Sequence, residues 1–254
     1  MYPIPNERAM YIKREKTIVI ADLHLGIEFD YHIQGINIPL QTSNLLKRIE
    51  TLIEDKNANK LIIVGDLKHI ICSGNVNENK YFMEKERKEV GFFIKRLSEI
   101  VDVIIVKGNH DGFLKSKRAT VYSSRGFKMG NISFVHGHAW PSEEIMKCNS
   151  IIFAHLHPVL EIRNSYGYYT KACWVRGNLN KKEFFKRYKK GNEKMNFVIM
   201  PSFNPLCGGT PVNREIVEGI IPKIADLKTS YVYLLDGTNL GIVKNLKKFS
   251  INKG

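Results

Sequence analysis

Apolar residues come in short, dense runs through the first two-thirds of the chain, at 17–21, 61–64, 103–106, 132–135 and 151–154. All five are rich in Ile and Val and too short for a stable helix, so they predict buried strands. Between the first two, residues 39–55 carry Leu45, Leu46, Ile49, Leu52 and Ile53 at helical spacing. Between the second and third, residues 80–100 set Phe82, Phe93, Ile94 and Leu97 among many charges, which again predicts a helix. Strand and helix in alternation predict a parallel α/β sheet.

After Ala154 the pattern changes. Residues 159–163, 168–176, 196–200 and 231–235 read as strands with few helices between them. Asp236-Gly237, followed by the apolar stretch 240–244, predicts a closing hairpin. A second sheet beside the first accounts for the change. No linker, repeat or low-complexity segment interrupts the chain, so residues 1–254 are expected to form one domain, in which the strand-rich part 159–254 completes the second sheet.

Composition narrows the class without choosing within it. A chain of 254 residues can bury a sizeable core, and 43% hydrophobic with 25% charged residues is ordinary for a globular protein. No run of eighteen apolar residues occurs, which excludes a spanning helix, and Met1-Tyr2-Pro3-Ile4-Pro5 lacks the basic-then-apolar layout of a signal peptide. A cytoplasmic protein without membrane contact is expected. Cys72, Cys148, Cys173 and Cys207 are far apart and form no Cys-x-x-Cys pair, so they are expected to be reduced thiols packed as small hydrophobes. The excess of 39 Lys and Arg over 25 Asp and Glu gives a charge of +14, which attracts polyanions and nucleic acid above all. A lysine-rich composition equally suits a thermophile or an AT-rich genome, so charge alone leaves such a partner open.

Chemistry enters at the C-terminal end of each apolar run. The first leads into Asp22-Leu23-His24, the second into Gly65-Asp66, and the third, after Lys107, into Gly108-Asn109-His110-Asp111. The fourth leads into His136-Gly137-His138 and the fifth into His155-Leu156-His157. In an open α/β sheet the carboxyl ends of the strands share one rim, where ligands sit, so five distant motifs are expected to converge there. Imidazole, carboxylate and amide donors without thiolate suit Mn, Fe, Co, Ni or Zn ions and disfavour all-oxygen Ca or Mg cages. Taken singly, Asp-x-His or Gly-Asp is commonly a turn; five such motifs in order at strand ends are hard to explain structurally.

These five motifs, within residues 16–158, resemble the ordered motifs of the calcineurin-like metallophosphoesterases, except that the last begins with Ala154 where the family usually has Gly. Residues 22–28, 65–69 and 201–210 are similar more narrowly to the archaeal and bacterial branch that includes the ligase-associated phosphoesterases. The resemblance implies an α/β fold of two packed mixed β-sheets flanked by helices. It also implies two divalent ions, manganese foremost. One would be held by Asp22, His24 and His157 and the other by Asn109, His136 and His155, with Asp66 bridging. His136 is preferred to His138 because it leaves the strand first. The activity implied is hydrolysis of a phosphoester by water activated between ions about 3.5–4 Å apart. His110 would protonate the leaving group, and Asp111 would hold the His110 imidazole, unless it merely caps the loop.

The substrate is read from the surrounding cations. Residues 181–194 interleave Lys181, Lys182, Lys186, Arg187, Lys189, Lys190 and Lys194 with Phe184, Phe185 and Tyr188. That pattern suits a single-stranded DNA or RNA track, or else a solvated helix with an aromatic inner face. Lys115 and Arg118 come just after the Gly-Asn-His-Asp loop and Arg214 just after Gly208-Gly209-Thr210-Pro211; these, with His138, are candidate substrate contacts, while His69, three residues past Asp66, could also reach the site. A phosphodiesterase acting on nucleic acid is the leading expectation, ahead of a phosphomonoesterase or nucleotide hydrolase and of a non-catalytic scaffold.

Overall fold

Alternation along the strands decides which layer each face joins. A computed structural model describes residues 1–70, 76–214 and 219–246. The first sheet holds β1 (Tyr2–Pro3), β2 (Met10–Ile12), β3 (Thr17–Ile20), β4 (Lys60–Val64), β5 (Asp102–Val106) and β6 (Thr120–Tyr122), in that spatial order. β3 to β6 run parallel, while β1 and β2 are antiparallel additions at the edge. α1 (Ile27–Ile33) and α2 (Thr42–Lys56) connect β3 to β4, and α3 (Val76–Ser98) connects β4 to β5.

The second sheet contains β7 (Phe127–Met129), β8 (Ile132–Val135), β9 (Ser150–Phe153), β10 (Pro158–Asn164), β11 (Gly167–Asn178), β12 (Asn196–Ile199) and β13 (Thr210–Pro211). Their order is β13-β10-β11-β12-β9-β8-β7. β14 (Tyr231–Leu234) pairs with β11, and with β15 (Asn239–Ile242) makes the hairpin expected at Asp236-Gly237. The short helices α4 (Lys181–Arg187), α5 (Ile221–Ile224) and α6 (Val243–Leu246) belong to this half.

In the first sheet Ile18, Ile20, Leu61, Ile63, Val103 and Ile105 pack against Leu45, Ile49 and Leu52 of α2 and Phe93 and Leu97 of α3. Their alternates, Val19, Ala21, Ile62, Val64 and Val106, face the other sheet and meet Phe134, Ile152, Trp174 and Val198. The far side of the second sheet, with Val135, Phe153, Phe197 and Ile199, is covered by Phe184, Tyr188, Ile221 and Ile224. Each such fully buried aliphatic contributes about 1.5–3 kcal/mol relative to exposure. The result is the expected α/β class, two mixed sheets between helices. One expectation is corrected. The five motif-bearing strands do not share one sheet, since β3, β4 and β5 lie in the first and β8 and β9 in the second. Short Ile/Val strands buried on both faces look alike in either sheet. Among the described residues, no helix is long and apolar enough to cross a membrane. Cys148, Cys173 and Cys207 are free thiols, and Cys72 lies outside the described residues.

Candidate metal centre

The loops leaving β3, β4, β5, β8 and β9 meet where the two sheets' rims face each other. Asp22, His24, Asp66, His155 and His157 all sit in the left-handed backbone region, with φ between 42° and 68°. Non-glycine residues pay for that conformation, by about 1–3 kcal/mol each, and such residues concentrate at functional sites. Two glycines make room. A Cβ at Gly65 would fall on the His136 ring, and one at Gly108 would fall on the Asp66 carboxylate.

Asp66 lies at the middle. Its Oδ2 is 3.6 Å from His24 Nε2 and 3.2 Å from His136 Nε2. Asp22 Oδ1 is 3.3 Å from His157 Nε2 and 3.5 Å from His136 Nδ1, and its Oδ2 accepts the His155 backbone N–H at 3.2 Å. Asn109 Oδ1 is 3.1 Å from His136 Nε2. Two groups of donor atoms, from Asp22, His24 and Asp66 and from Asp66, His136 and His155, each lie within 4.8 Å of one another. The structure therefore brings all seven candidate ligands together.

Charges on the two rims sustain each other. Burial opposes ionisation of Asp22 and Asp66, yet facing imidazoles, His157 and His136 for Asp22 and His136 foremost for Asp66, hold both carboxyls below the usual range. Burial also opposes protonation of His136, but its contact with Asp66 and the charge of Asp22 raise it to about 9. His24 falls to about 3, and His138 and His155 to about 4, chiefly through burial, so these rings carry lone pairs at neutral pH. Asp22 Oδ1, His24 Nε2 and His157 Nε2 are buried without a hydrogen-bond partner among the described residues. Buried donors and acceptors are rarely left so, and a nitrogen–oxygen set of this kind fits divalent ions.

The ring nitrogens facing away from the centre have fixed partners. His136 Nδ1 meets the Val64 carbonyl at 3.2 Å and His157 Nδ1 the Gly208 carbonyl at 3.0 Å. His24 Nδ1 meets His69 Nδ1 at 3.0 Å, and His69 Nε2 meets Asp30 Oδ2 at 2.8 Å. A carboxylate only accepts, so His69 donates from Nε2 to Asp30, and a proton supplied by His24 Nδ1 to the contact with His69 Nδ1 leaves His24 Nε2 bare. His69 thus enters the site, with Glu86 of α3 accepting its backbone N–H at 2.7 Å. Its spacing from Asp66 was the visible signal; nothing local pointed to Asp30 or Glu86.

His110 stands beside them, its ring 4.8 Å from that of His24 and stacked 5.5 Å from that of His69. Its backbone N–H donates to Asp66 Oδ1 at 2.9 Å, and its Nδ1 meets the His69 carbonyl. The expectation that Asp111 holds the His110 imidazole is corrected. The fully buried Asp111 carboxylate accepts the backbone N–H groups of Leu67, Lys68 and Gly108, tying the two loops together. Being acceptor-only, it satisfies amides that no strand partner reaches.

The candidate substrate contacts divide. His138 borders the centre, its ring 5.2 Å from His136 and 6.0 Å from His155. Lys115 is exposed in the connection from Asp111 to β6. Arg118 is corrected: it lines a cleft with Lys60 and Asp102, at the opposite end of the first sheet from the motif loops. Arg214 is corrected too, because it is bound by the buried Glu161, with Nε at 2.7 Å. In the 181–194 segment Phe184 and Tyr188 are core residues and Phe185 alone of the aromatics is exposed. Lys186 pairs with Glu183 at 2.7 Å, and Arg187 stacks 4.2 Å from the Trp140 ring. The segment is helical only over Lys181–Arg187, where Phe184 faces the core, and Tyr188 follows in extended backbone.

Fold and rim together define a class, a two-sheet hydrolase with a polar centre fit for metal ions. The chain belongs to the calcineurin-like phosphoesterase family, whose profile matches residues 15–199, and it is a metal-dependent phosphoesterase. Among solved structures, Pseudomonas putida nuclease MPE is similar over 94% of this chain and 100% of that chain, with TM-score 0.55 and 20% identity. The Escherichia coli phosphoesterase Yfce is similar over 58% of this chain and 74% of that one, with TM-score 0.33 and 18% identity. The first likeness is one of fold. No curated protein sequence matches the chain at a significant level.

Proposed function

We propose that the protein is a dinuclear phosphodiesterase acting on nucleic acid. Asp22, His24 and His157 hold one ion, Asn109, His136 and His155 hold the other, and Asp66 is shared. The observation that carries this reading is the position of Asp66 Oδ2, which lies against His24 on one side and His136 on the other. When bound, divalent ions supply the acidity that activates water and the charge that offsets the phosphoryl oxygens, and manganese suits these donors. The protein's own part is placement and proton transfer. His110 donates a proton from Nε2 to the leaving oxygen, while Nδ1–H on the His69 carbonyl keeps the ring oriented. Asp111 acts through the backbone, holding the Gly108 and Leu67 loops at their spacing. His138 supplies a neutral ring beside the second ligand set, where substrate enters.

A nucleic-acid diester is favoured by the charge of +14 and agrees with the name of the similarly folded Pseudomonas putida nuclease. The manganese-loaded protein is expected to cleave bis(p-nitrophenyl) phosphate faster than p-nitrophenyl phosphate and to cut DNA or RNA. A faster monoester reaction would reverse the substrate assignment in favour of a phosphomonoesterase.

A further inference from the structure

The segment after β12 closes over the first ligand set. Phe203 N–H donates to the Ala21 carbonyl at 2.7 Å and Asn204 Nδ2 to the Leu23 carbonyl at 2.9 Å, fastening residues 203–204 to the Asp22-Leu23-His24 loop. The Gly208 carbonyl, four residues on, accepts from His157 Nδ1. Cys207 is thereby held between two anchored points. Its Sγ, a nitrogen of His24 and a nitrogen of His157 all lie within 4.8 Å of one another, and Sγ is 3.7 Å from the Asp22 carbonyl.

Cys207 differs from the other described thiols. Cys148 and Cys173 are buried in the apolar cluster on the outer side of the second sheet, whereas Cys207 is half-buried beside the imidazoles of His24 and His157, each of which has a buried Nε2 without a hydrogen-bond partner among the described residues. Packing as a small hydrophobe does not account for a sulfur in such polar company.

We propose that Cys207 is a thiolate ligand to the ion held by Asp22, His24 and His157, so that the two ion positions differ in kind. With the shared Asp66, this position offers five protein donors, one of them sulfur, and takes a thiophilic ion such as zinc, iron or cobalt. The other position offers only nitrogen and oxygen and takes a harder ion such as manganese. On coordination the thiol proton passes to solvent and the sulfur electron pair forms the bond to the ion. The inference rests on the ligand assignment above, and the test separates the two.

The apo-protein, prepared with a chelator, is titrated with Co²⁺ under anaerobic conditions and followed by absorption. Wild type is expected to show visible d–d bands together with a near-ultraviolet sulfur-to-cobalt charge-transfer band. Cys207→Ser is expected to lose the charge-transfer band and keep the d–d bands, while Cys72→Ser keeps both. A wild-type spectrum with d–d bands alone, or a charge-transfer band that survives in Cys207→Ser, overturns the Cys207 assignment and leaves the nitrogen–oxygen centre standing. Absence of any cobalt spectrum overturns both. Should the serine variant not fold, the wild-type protein is treated with iodoacetamide and mapped by mass spectrometry. Cys207 is then expected to be shielded by Co²⁺, and equal labelling with and without the ion overturns the proposal.

Discussion

The two rims that face each other across the centre are built from different chemistry. The loops of β3, β4 and β5 in the first sheet contribute both carboxylates, Asp22 and Asp66, the amide of Asn109, and the imidazoles of His24 and His110; the loops of β8 and β9 in the second contribute the imidazoles of His136, His138, His155 and His157. Neither rim alone is a complete ligand set. Carboxylates as buried as Asp22 and Asp66 would neutralise without a facing cation, and a purely imidazole rim lacks the negative charge that a divalent ion seeks. Without ions the rims already serve each other, His157 and His136 keeping Asp22 ionised and Asp66 helping to keep His136 protonated. In the proposed assignment each ion draws ligands from both sheets. The centre is then a cross-link between the layers as well as a reaction site.

The largest effect should come from the one residue assigned to both ions. Asp66→Asn removes the shared charge and is expected to lower turnover of bis(p-nitrophenyl) phosphate by about 10³-fold or more, since several kcal/mol of charge stabilisation is lost. A matched change on the imidazole rim, His155→Ala, is expected to reduce bound metal from two ions to one per chain, measured by elemental analysis. Full metal content in His155→Ala would show that the second rim is not a ligand rim, and the comparison would fail.

His110 stands on the first rim but is assigned no ion. His110→Ala is expected to slow esters with poor leaving groups by roughly 10²-fold and p-nitrophenolate esters much less, because only a basic leaving oxygen needs the proton. Metal content should not change. An equal loss across leaving groups would remove the acid role.

If ions cross-link the sheets, they stabilise the whole sandwich. At a hundredfold excess over its dissociation constant, each bound divalent ion should add about 2.7 kcal/mol, a rise of roughly 5–10 °C in melting temperature per ion for a chain of this size. Calorimetry with and without chelator measures it. Variants on either rim, Asp22→Ala or His157→Ala, should blunt the rise alike. A rise blunted from one side only would mean that the ion sits on a single sheet.

The strands and the polar groups at their ends were legible in the sequence because both signals are local. An Ile/Val run such as 61–64, closed by Gly65-Asp66, announces a buried strand and what hangs from its end. The helices were legible where the apolar spacing persisted over several turns, as in α2 and α3, and not in α1, which spans only Ile27–Ile33. What failed was long-range. Besides the nearby Gly108, the partners of Asp111 are amides 43 and 44 residues away, and Arg214 is claimed by Glu161, 53 residues distant. Arg118 lies close to the Gly-Asn-His-Asp loop in sequence, yet the chain has crossed to the far end of the sheet to begin β6. Division of the motifs between two sheets left no mark either, since a strand covered on both faces carries no label for its sheet.

The rims differ finally in how they orient their imidazoles, and this gives the smallest effect. On the second rim His136 and His157 are aimed by the backbone carbonyls of Val64 and Gly208, which no substitution removes. On the first, His24 is aimed by the His69 ring, itself held by Asp30 through a side chain about half exposed. Partners behind a ligand typically contribute 10–100-fold to metal affinity, and exposure of Asp30 places it at the low end. Asp30→Ala should therefore weaken binding of the first ion by about tenfold, and His69→Ala by more, with the fold unchanged by circular dichroism. Titration against a chelating dye reads both affinities. If neither variant shifts the first ion while both slow turnover, His69 acts on the substrate rather than through His24, and the two rims are oriented alike.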